Sequence, residues 1–178
     1  MLMIFDQECS FANHWKKEEN KSELLELGAV VVDENYEIQS NFNSYVKPIS
    51  NPELSEECRE LLGDIQSKVD SAPEFPLVME RFDKWVQSNN INKIASWGIS
   101  DRTFILKQVS KYKLKSITFE LEYIDLKKTL RKSRPIRIKP VGLKKAAEIV
   151  GAEIVEPQHS ALNDAFTALN VLRLMPQL

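Results

Sequence analysis

The hydrophobic pattern of the chain predicts strands first and helices afterwards. The first five residues, MLMIF, form a continuous apolar run, which is typical of a central strand covered on both faces. The segment 21–48 predicts a hairpin of two strands around a turn at 33–35, where the sequence is Asp-Glu-Asn. Two later segments, KIASWGIS and ITFELEYIDL, predict two more strands.

Apolar residues at helical spacing predict five helices. Their segments are NPELSEECRELLG, LVMERFDKWVQSN, DRTFILKQVSKY, VGLKKAAEIVG and SALNDAFTALNVLRLM. Gly63 is suited to end the first helix and Ser160 to cap the last. The basic segment 127–140, interrupted by prolines, predicts a loop or a short helix. This order of elements predicts an α/β layered fold with a mixed five-stranded sheet, in a single domain over residues 1–178.

Charge is unevenly distributed along the sequence. The formal net charge is -2, but the segment 102–145 holds fourteen Lys or Arg and only three acidic residues. Such a segment indicates a basic surface that faces an anion, with an ordinary solvated face as the alternative.

Cysteine usage and hydropathy indicate a cellular location. Cys9 and Cys58 have no paired spacing, which is typical of reduced thiols in an intracellular protein. The apolar start lacks a basic flank and is too short for a signal peptide, and no apolar run has the length of a membrane span. We therefore expect a cytoplasmic protein with no membrane association.

Two carboxylates follow the first apolar run. Because side chains alternate between the faces of a strand, Asp6 and Glu8 are predicted to share one face. Two neighbouring carboxylates repel each other unless a cation lies between them, and Mg²⁺ prefers oxygen ligands of this kind. A surface pair at a strand end would give the same D-x-E pattern, so this motif alone decides nothing.

Two later motifs add three candidate residues. Asp101 follows the segment ASWGIS at the start of a predicted helix, where an N-cap is the alternative role. In HSALNDAFTAL, His159 precedes the predicted cap and Asp164 lies one turn inside the helix, among apolar residues. An imidazole with a reference pKa of about 6.5 suits a general base at neutral pH, and a loop histidine is the alternative.

Taken together and in this chain order, the three motifs resemble the DEDDh 3′→5′ exonucleases, whose fold is RNase H-like. FDQECS matches the family's D-x-E motif, with Cys9 and Ser10 where threonines are common, and HSALNDA resembles its H-x-x-x-x-D motif. The segment 45–86, followed by SWGISD, is similar to the Eri-1-like branch, which includes histone-mRNA 3′-exonucleases and bacterial sporulation-inhibitor-type homologues. The resemblance implies an RNase H-like α/β fold whose mixed sheet is flanked by helices.

The resemblance also implies an activity. The chain would release 5′-mononucleotides from the 3′ ends of single-stranded or structured RNA, with DNA as a second candidate substrate. Its cofactors would be two divalent ions, Mg²⁺ or Mn²⁺, and the resemblance leaves its protein partners open. Asp6, Glu8, Asp101 and Asp164 would hold the ions, with Asp6 as the bridging ligand, and His159 would accept a proton from the attacking water.

Substrate contacts are predicted at three places. Cys9, Ser10 and Phe11 would line the pocket for the terminal nucleotide. Trp15, in a polar segment, is a candidate for stacking on a base, whereas Trp97 is assigned to the core. The basic candidates, expected to follow the phosphates away from the site, are Arg131, Lys132 and Arg134.

Three other functions are considered beside this one. A non-catalytic RNase H-like nucleic-acid-binding module has no need of five reactive site residues. A DNA-proofreading-type exonuclease is disfavoured by the middle segment, which is similar to an RNA-trimming branch. The order of the three motifs argues against a metal-dependent hydrolase of a small phosphoester.

Overall fold

The fold is centred on a mixed five-stranded sheet. The computed structural model describes residues 1–12, 21–133 and 141–175. The strands in these ranges are β1 (Leu2–Cys9), β2 (Leu24–Val32), β3 (Ile38–Tyr45), β4 (Lys93–Ser96) and β5 (Glu122–Asp125). They lie in the order β3-β2-β1-β4-β5. β2 is antiparallel to β1 and β3, whereas β4 is parallel to β1 and β5, which confirms the predicted mixed sheet.

Helices cover both faces of this sheet. They are α1 (Glu56–Leu62), α2 (Gln66–Asp70), α3 (Phe75–Ser88), α4 (Ile99–Lys111), α5 (Leu126–Ser133), α6 (Leu143–Val150) and α7 (Ala161–Arg173). The five predicted helices are all present, and part of the basic segment forms the short helix α5. The short helix α2 was not predicted, because it buries a single residue, Val69, and so has almost no apolar periodicity. None of the described helices is long and apolar enough to cross a membrane.

The strand prediction at 117–126 is correct only for its second half. Thr118–Glu120 forms a 3₁₀ turn, and the strand proper is β5. The Asp83 carboxylate explains the difference, since it accepts hydrogen bonds from the backbone nitrogen and the hydroxyl of Thr118. These bonds hold residues 118–120 in a turn, so the strand begins only at Glu122.

The central strand β1 contributes to two apolar cores. Met3 and Phe5 pack on one face of the sheet with residues of α3 and α4. Ile4 points to the opposite face and packs with residues of α5, α6 and α7. Because both faces are covered, Met3, Ile4 and Phe5 are fully buried, as the continuous apolar run predicts. The same strand is therefore a fixed support for the polar residues that follow it.

Candidate active site

The acidic pair extends β1 beyond its apolar half. Asp6 and Glu8 alternate with Gln7, so they lie on the α7 side of the sheet, which is also the side of Ile4. Across the β1–β2 ladder, Asp6 is opposite Gly28 and Glu8 is opposite Glu26. The predicted common face of the two carboxylates is confirmed by this register.

The glycine opposite Asp6 lets α7 approach the sheet closely. A Cβ atom at Gly28 would lie 2.2 Å from the backbone nitrogen of Leu162 and 2.3 Å from the carbonyl carbon of Ala161. No side chain can occupy that space, so the first turn of α7 rests directly on β2. Asp164 lies in this first turn, and the contact therefore places it beside the β1 carboxylates.

His159 and Asp164 meet Glu8 at the start of α7. One ligand atom from each of these three side chains lies within 4.8 Å of the other two, which is a spacing that suits metal coordination. His159 is exposed and adopts a left-handed backbone conformation with φ of 58°. That conformation costs a non-glycine residue about 1 kcal/mol or more and is common at functional sites.

Asp101, which lies on α4, completes the group of carboxylates. It lies in the first turn of α4, whose N-cap is Gly98, so the alternative role of Asp101 as an N-cap is wrong. Burial raises the pKa of Asp101 to about 6, an effect opposed by hydrogen bonds from Gln7 and Ser96 and by the charge of Lys127. The Lys127 amine lies 3.5 Å from the place of a Cβ atom on Gly98, so this lysine borders the site.

Electrostatics show that the carboxylates are close neighbours. Burial raises the pKa of Asp6 well above its ordinary value, and the charges of Asp101, Glu8 and Asp164 raise it further. The pKa of Glu8 rises to about 8, first through burial and then through Asp164, Glu26 and Asp101. Burial likewise raises the pKa of Asp164, while the nearby His159 opposes the shift. Four carboxylates that repel one another in this way form a set of oxygen ligands suited to hard divalent cations.

Glu26 is a fifth carboxylate at the site, and the sequence motifs did not reveal it. It is only 3% exposed, and its Oε2 accepts a hydrogen bond of 3.2 Å from the backbone nitrogen of Ala161. Ser160 occupies the N-cap position of α7 but makes no capping hydrogen bond with its side chain. Glu26 thus satisfies the helix N-terminus in its place, which corrects the predicted role of Ser160. In the sequence, the only indication of this role is that Glu26 interrupts the apolar run of β2.

The three substrate-binding candidates after the D-x-E motif have different surroundings. Ser10 is buried, and its hydroxyl accepts a hydrogen bond of 2.9 Å from the backbone nitrogen of Glu23. Cys9 is half-buried, and burial raises the pKa of its thiol to about 12. Phe11 packs against the small apolar cluster that contains Cys58. Ser10 therefore has a visible structural task, and substrate contact at all three residues stays a prediction.

The remaining candidates divide by location. Trp97 is buried and donates a hydrogen bond of 3.2 Å to the carbonyl oxygen of Val141, which confirms its assignment to the core. Arg131 and Lys132 are exposed at the end of α5. Trp15 and Arg134 lie outside the described residues. A contact between the basic candidates and a substrate stays a prediction.

Comparison with known proteins identifies the class to which this fold and site belong. The sequence model of the RNase T exonuclease family matches residues 3–172, which is nearly the whole chain. The chain therefore belongs to that exonuclease family.

Individual relatives narrow the position within the family. ERI1 exoribonuclease 2 of Danio rerio is 32% identical in an alignment that covers 98% of this chain and 35% of that protein. The protein named "Probable 3'-5' exonuclease KapD" of Bacillus subtilis is 29% identical over 177 residues, covering 99% of this chain and 84% of the relative. The chain thus spans about a third of the ERI1 exoribonuclease 2 relative and most of KapD. Both relatives agree with the predicted Eri-1-like branch.

Solved structures confirm the fold. The nuclease domain of 3'hExo, described as a DEDDh family member bound to rAMP, matches with a TM-score of 0.86 and 23% identity. The match covers 97% of this chain and 89% of that domain. At this level of identity the likeness concerns the fold, and the predicted RNase H-like fold of DEDDh exonucleases is confirmed.

Proposed function

We propose that this chain is a metal-dependent 3′→5′ exonuclease that releases 5′-mononucleotides from RNA, with DNA as a second candidate substrate. One observation carries the proposal: Asp6, Glu8, Asp101, Asp164 and His159 come from distant parts of the sequence and converge at the carboxyl end of the central strand β1. A chain with no ligand for this site would keep several like charges together at a cost in folding free energy. Membership in an exonuclease family supports the same reaction.

The four carboxylates would hold two divalent ions, Mg²⁺ or Mn²⁺. The donor set fits, because it consists of carboxylate oxygens whose pKa values are raised by burial and mutual repulsion. Bound divalent ions polarise a phosphoryl oxygen and lower the pKa of bound water. The carboxylates would thereby lose their protons to solvent as the ions bind.

His159 would act as the general base. Its imidazole lies at the exposed start of α7, beside Glu8 and Asp164, where water has access. Because a neutral imidazole can accept a proton near pH 7, His159 would take the proton of the attacking water and release it to solvent. Asp164 would help to hold this residue in place, because its carboxylate accepts a hydrogen bond from the backbone of His159.

RNA is the preferred substrate in this proposal because the relatives of the Eri-1-like branch carry the name exoribonuclease. A structural neighbour, also under 25% identical, is described as recognising the 3′ end of a histone mRNA stem-loop. The described part of this chain contains the exonuclease fold alone. We also propose a cytoplasmic location, which the free thiols of Cys9 and Cys58 favour.

The test is incubation of the purified protein with 5′-labelled RNA and DNA, each as a single strand and as a hairpin, with Mg²⁺ or Mn²⁺. We expect a ladder that shortens from the 3′ end, requires the metal and disappears in Asp6→Ala. Glu34→Ala, an exposed turn residue, is the matched control and should retain full activity. Internal cuts only, or undiminished activity in Asp6→Ala, would contradict the proposal.

The same experiment separates the alternative functions. A non-catalytic nucleic-acid-binding module would bind the labelled strands without shortening them. A proofreading-type enzyme would shorten DNA in preference to RNA. Chelation of the metal with EDTA should stop the reaction in every exonuclease case and leave simple binding to a module intact.

A further inference from the structure

Two hydroxyl side chains meet between β4 and β5, next to the start of α4. Ser96 is the last residue of β4 and is fully buried, and Tyr123 lies in the neighbouring strand β5. Their oxygen atoms are 2.9 Å apart, a hydrogen-bonding distance at which either oxygen can be the donor. We call these two residues the hydroxyl pair. The catalytic scheme above gives neither of them a task.

Both hydroxyls also contact the backbone from which α4 begins. Gly98, the N-cap of α4, has a φ of 101°, a conformation that favours glycine. Its carbonyl oxygen accepts a hydrogen bond of 2.7 Å from the Ser96 hydroxyl and another of 2.7 Å from the Tyr123 phenol. The backbone nitrogen of Gly98 donates to the carbonyl oxygen of Ser96 at 2.9 Å. The hydroxyl pair therefore holds the turn that precedes Asp101 by three residues.

Ser96 connects the hydroxyl pair to the metal-ligand candidate Asp101. Its hydroxyl forms a hydrogen bond with the Asp101 carboxylate. A serine hydroxyl carries one proton, and three acceptors compete for it: the Asp101 carboxylate, the Gly98 carbonyl and the Tyr123 oxygen. Ser96 can give its proton wholly to Asp101 only if another side chain donates to the Gly98 carbonyl.

Tyr123 is suited to be that second donor. Its phenol oxygen lies close enough to the Gly98 oxygen and the Ser96 oxygen for its proton to be shared between them. Burial raises the pKa of Tyr123 to about 12, so the phenol keeps its proton at neutral pH. The Arg102 guanidinium lies 5.4 Å from the centroid of the Tyr123 ring, and its Nη2 donates to the carbonyl oxygen of Phe119 at 2.8 Å. The ring of Tyr123 is therefore supported from α4 as well.

We propose that Tyr123 is a positioning residue for Asp101 and acts through Ser96. Its phenol donates to the Gly98 carbonyl, which leaves the Ser96 proton to the Asp101 carboxylate and holds that carboxylate in one orientation. Removal of a group that supports a metal ligand typically costs 10- to 100-fold in metal affinity or activity. This inference rests on the proposed function, because it assigns Asp101 to the ligands of a metal ion. It requires no contact between Tyr123 and the substrate.

The first variant is Tyr123→Phe, which removes the phenol oxygen and keeps the ring that Arg102 contacts. The Mn²⁺ dissociation constant, measured by isothermal titration, should rise about 10-fold, the lower end of that range. On 5′-labelled RNA kcat should fall at a fixed metal concentration, whereas KM for the RNA should stay the same. The control Tyr112→Phe removes a phenol oxygen at the other end of α4 and should leave all three values unchanged.

A stability measurement separates positioning from a general structural role. Urea unfolding in EDTA is followed for both tyrosine variants, and metal titrations are made under conditions in which each protein is folded. A purely structural role of Tyr123 would lower the unfolding midpoint and leave the Mn²⁺ affinity of the folded protein unchanged.

A double-mutant cycle tests the route through Ser96. Ser96→Ala removes the hydroxyl that contacts Asp101 and should weaken Mn²⁺ binding at least as much as Tyr123→Phe. Because Tyr123 acts through Ser96, the double variant should bind Mn²⁺ no more weakly than Ser96→Ala alone. An unchanged Mn²⁺ affinity in either single variant would overturn the proposal, and so would losses that multiply in the double variant.

The Mn²⁺ titrations need no RNA, so they keep this inference separate from the proposed activity. A wild-type protein that binds Mn²⁺ but shortens no RNA would refute the proposed function, and the cycle would still decide the role of Tyr123. An active exonuclease whose Tyr123→Phe variant equals the wild type in Mn²⁺ affinity and kcat would contradict the positioning role alone. A wild-type protein that binds no Mn²⁺ would refute both.

Discussion

The acidic cluster (Asp6, Glu8, Asp101 and Asp164) and the basic surface of α5 (Lys128, Arg131 and Lys132) carry opposite charges and differ in burial. The cluster brings together carboxylates from β1, α4 and α7, each half-buried and supported by the sheet. On α5, by comparison, Lys128, Arg131 and Lys132 are exposed. Buried like charges cost folding free energy that a bound cation can recover, whereas exposed lysines and arginines cost little. Buried charge is therefore stronger evidence of a function than exposed charge.

Lys127 shows where the two regions meet. It belongs to α5, but its charge lowers the pKa of Asp101 and its side chain reaches Gly98. It is only partly exposed, unlike its three basic neighbours on the helix. A basic residue thus affects the site when it is partly buried, so burial matters more than the sign of the charge. The following predictions test this.

The largest effect is expected for His159→Ala. Loss of the general base should reduce kcat by about 10²- to 10⁴-fold, while the carboxylates continue to bind the ions. The measurements are kcat on a 5′-labelled RNA and Mn²⁺ affinity by isothermal titration. His159 also lies within coordinating distance of Glu8 and Asp164, so a parallel loss of metal affinity would identify it as a ligand instead of a base.

The next prediction concerns stability and pH. The pKa of Glu8 is about 8 in the folded chain, against an ordinary value of 4.5 that applies when unfolded. Between these values the folded state binds more protons than the unfolded state, so metal-free stability should fall as pH rises from about 5 to 8. Urea unfolding in EDTA at several pH values measures the slope, and saturating Mn²⁺ should reverse it.

Glu8→Gln is the variant that isolates this effect. It removes the titrating group with little change of shape, so the fall in stability should become shallower and the variant should be the more stable protein at pH 8 without metal. Glu34→Gln, at the exposed β2–β3 turn, serves as the matched control and should leave the slope unchanged. An equal slope in wild type and Glu8→Gln would contradict a raised pKa of Glu8 in the folded chain.

A smaller effect is expected at Glu26, which positions α7 rather than touching substrate. Glu26→Ala leaves the Ala161 nitrogen without its acceptor and should cost about 1 kcal/mol of stability, as loss of a helix cap does. Because His159 and Asp164 flank that helix start, kcat should fall as well. Glu26→Gln can still accept the hydrogen bond and should recover most of both losses, and its failure to do so would assign the role to the charge.

The sequence predicted the fold and the acidic site well for a common physical reason. The apolar run of β1, the helical spacings and the carboxylates of the three motifs all concern buried or half-buried residues, and burial constrains which residue types are tolerated. Gly28 and Glu26 were not anticipated as site residues, because their roles depend on the approach of α7 from more than 130 residues away.

The smallest effect is expected for the three basic candidates for substrate contact. Neutralising Arg131, Lys132 and Arg134 to Gln should weaken RNA binding less than tenfold and lower the salt slope by about 0.7 for each phosphate that these residues neutralise. Fluorescence anisotropy at several salt concentrations, with Lys113→Gln, Lys115→Gln as the control, measures both quantities. An unchanged slope would leave these residues as ordinary solvated charge. If instead RNA binding falls by more than tenfold, these basic residues are a main contact of the strand, and burial is a poorer guide to function here than the acidic cluster suggests.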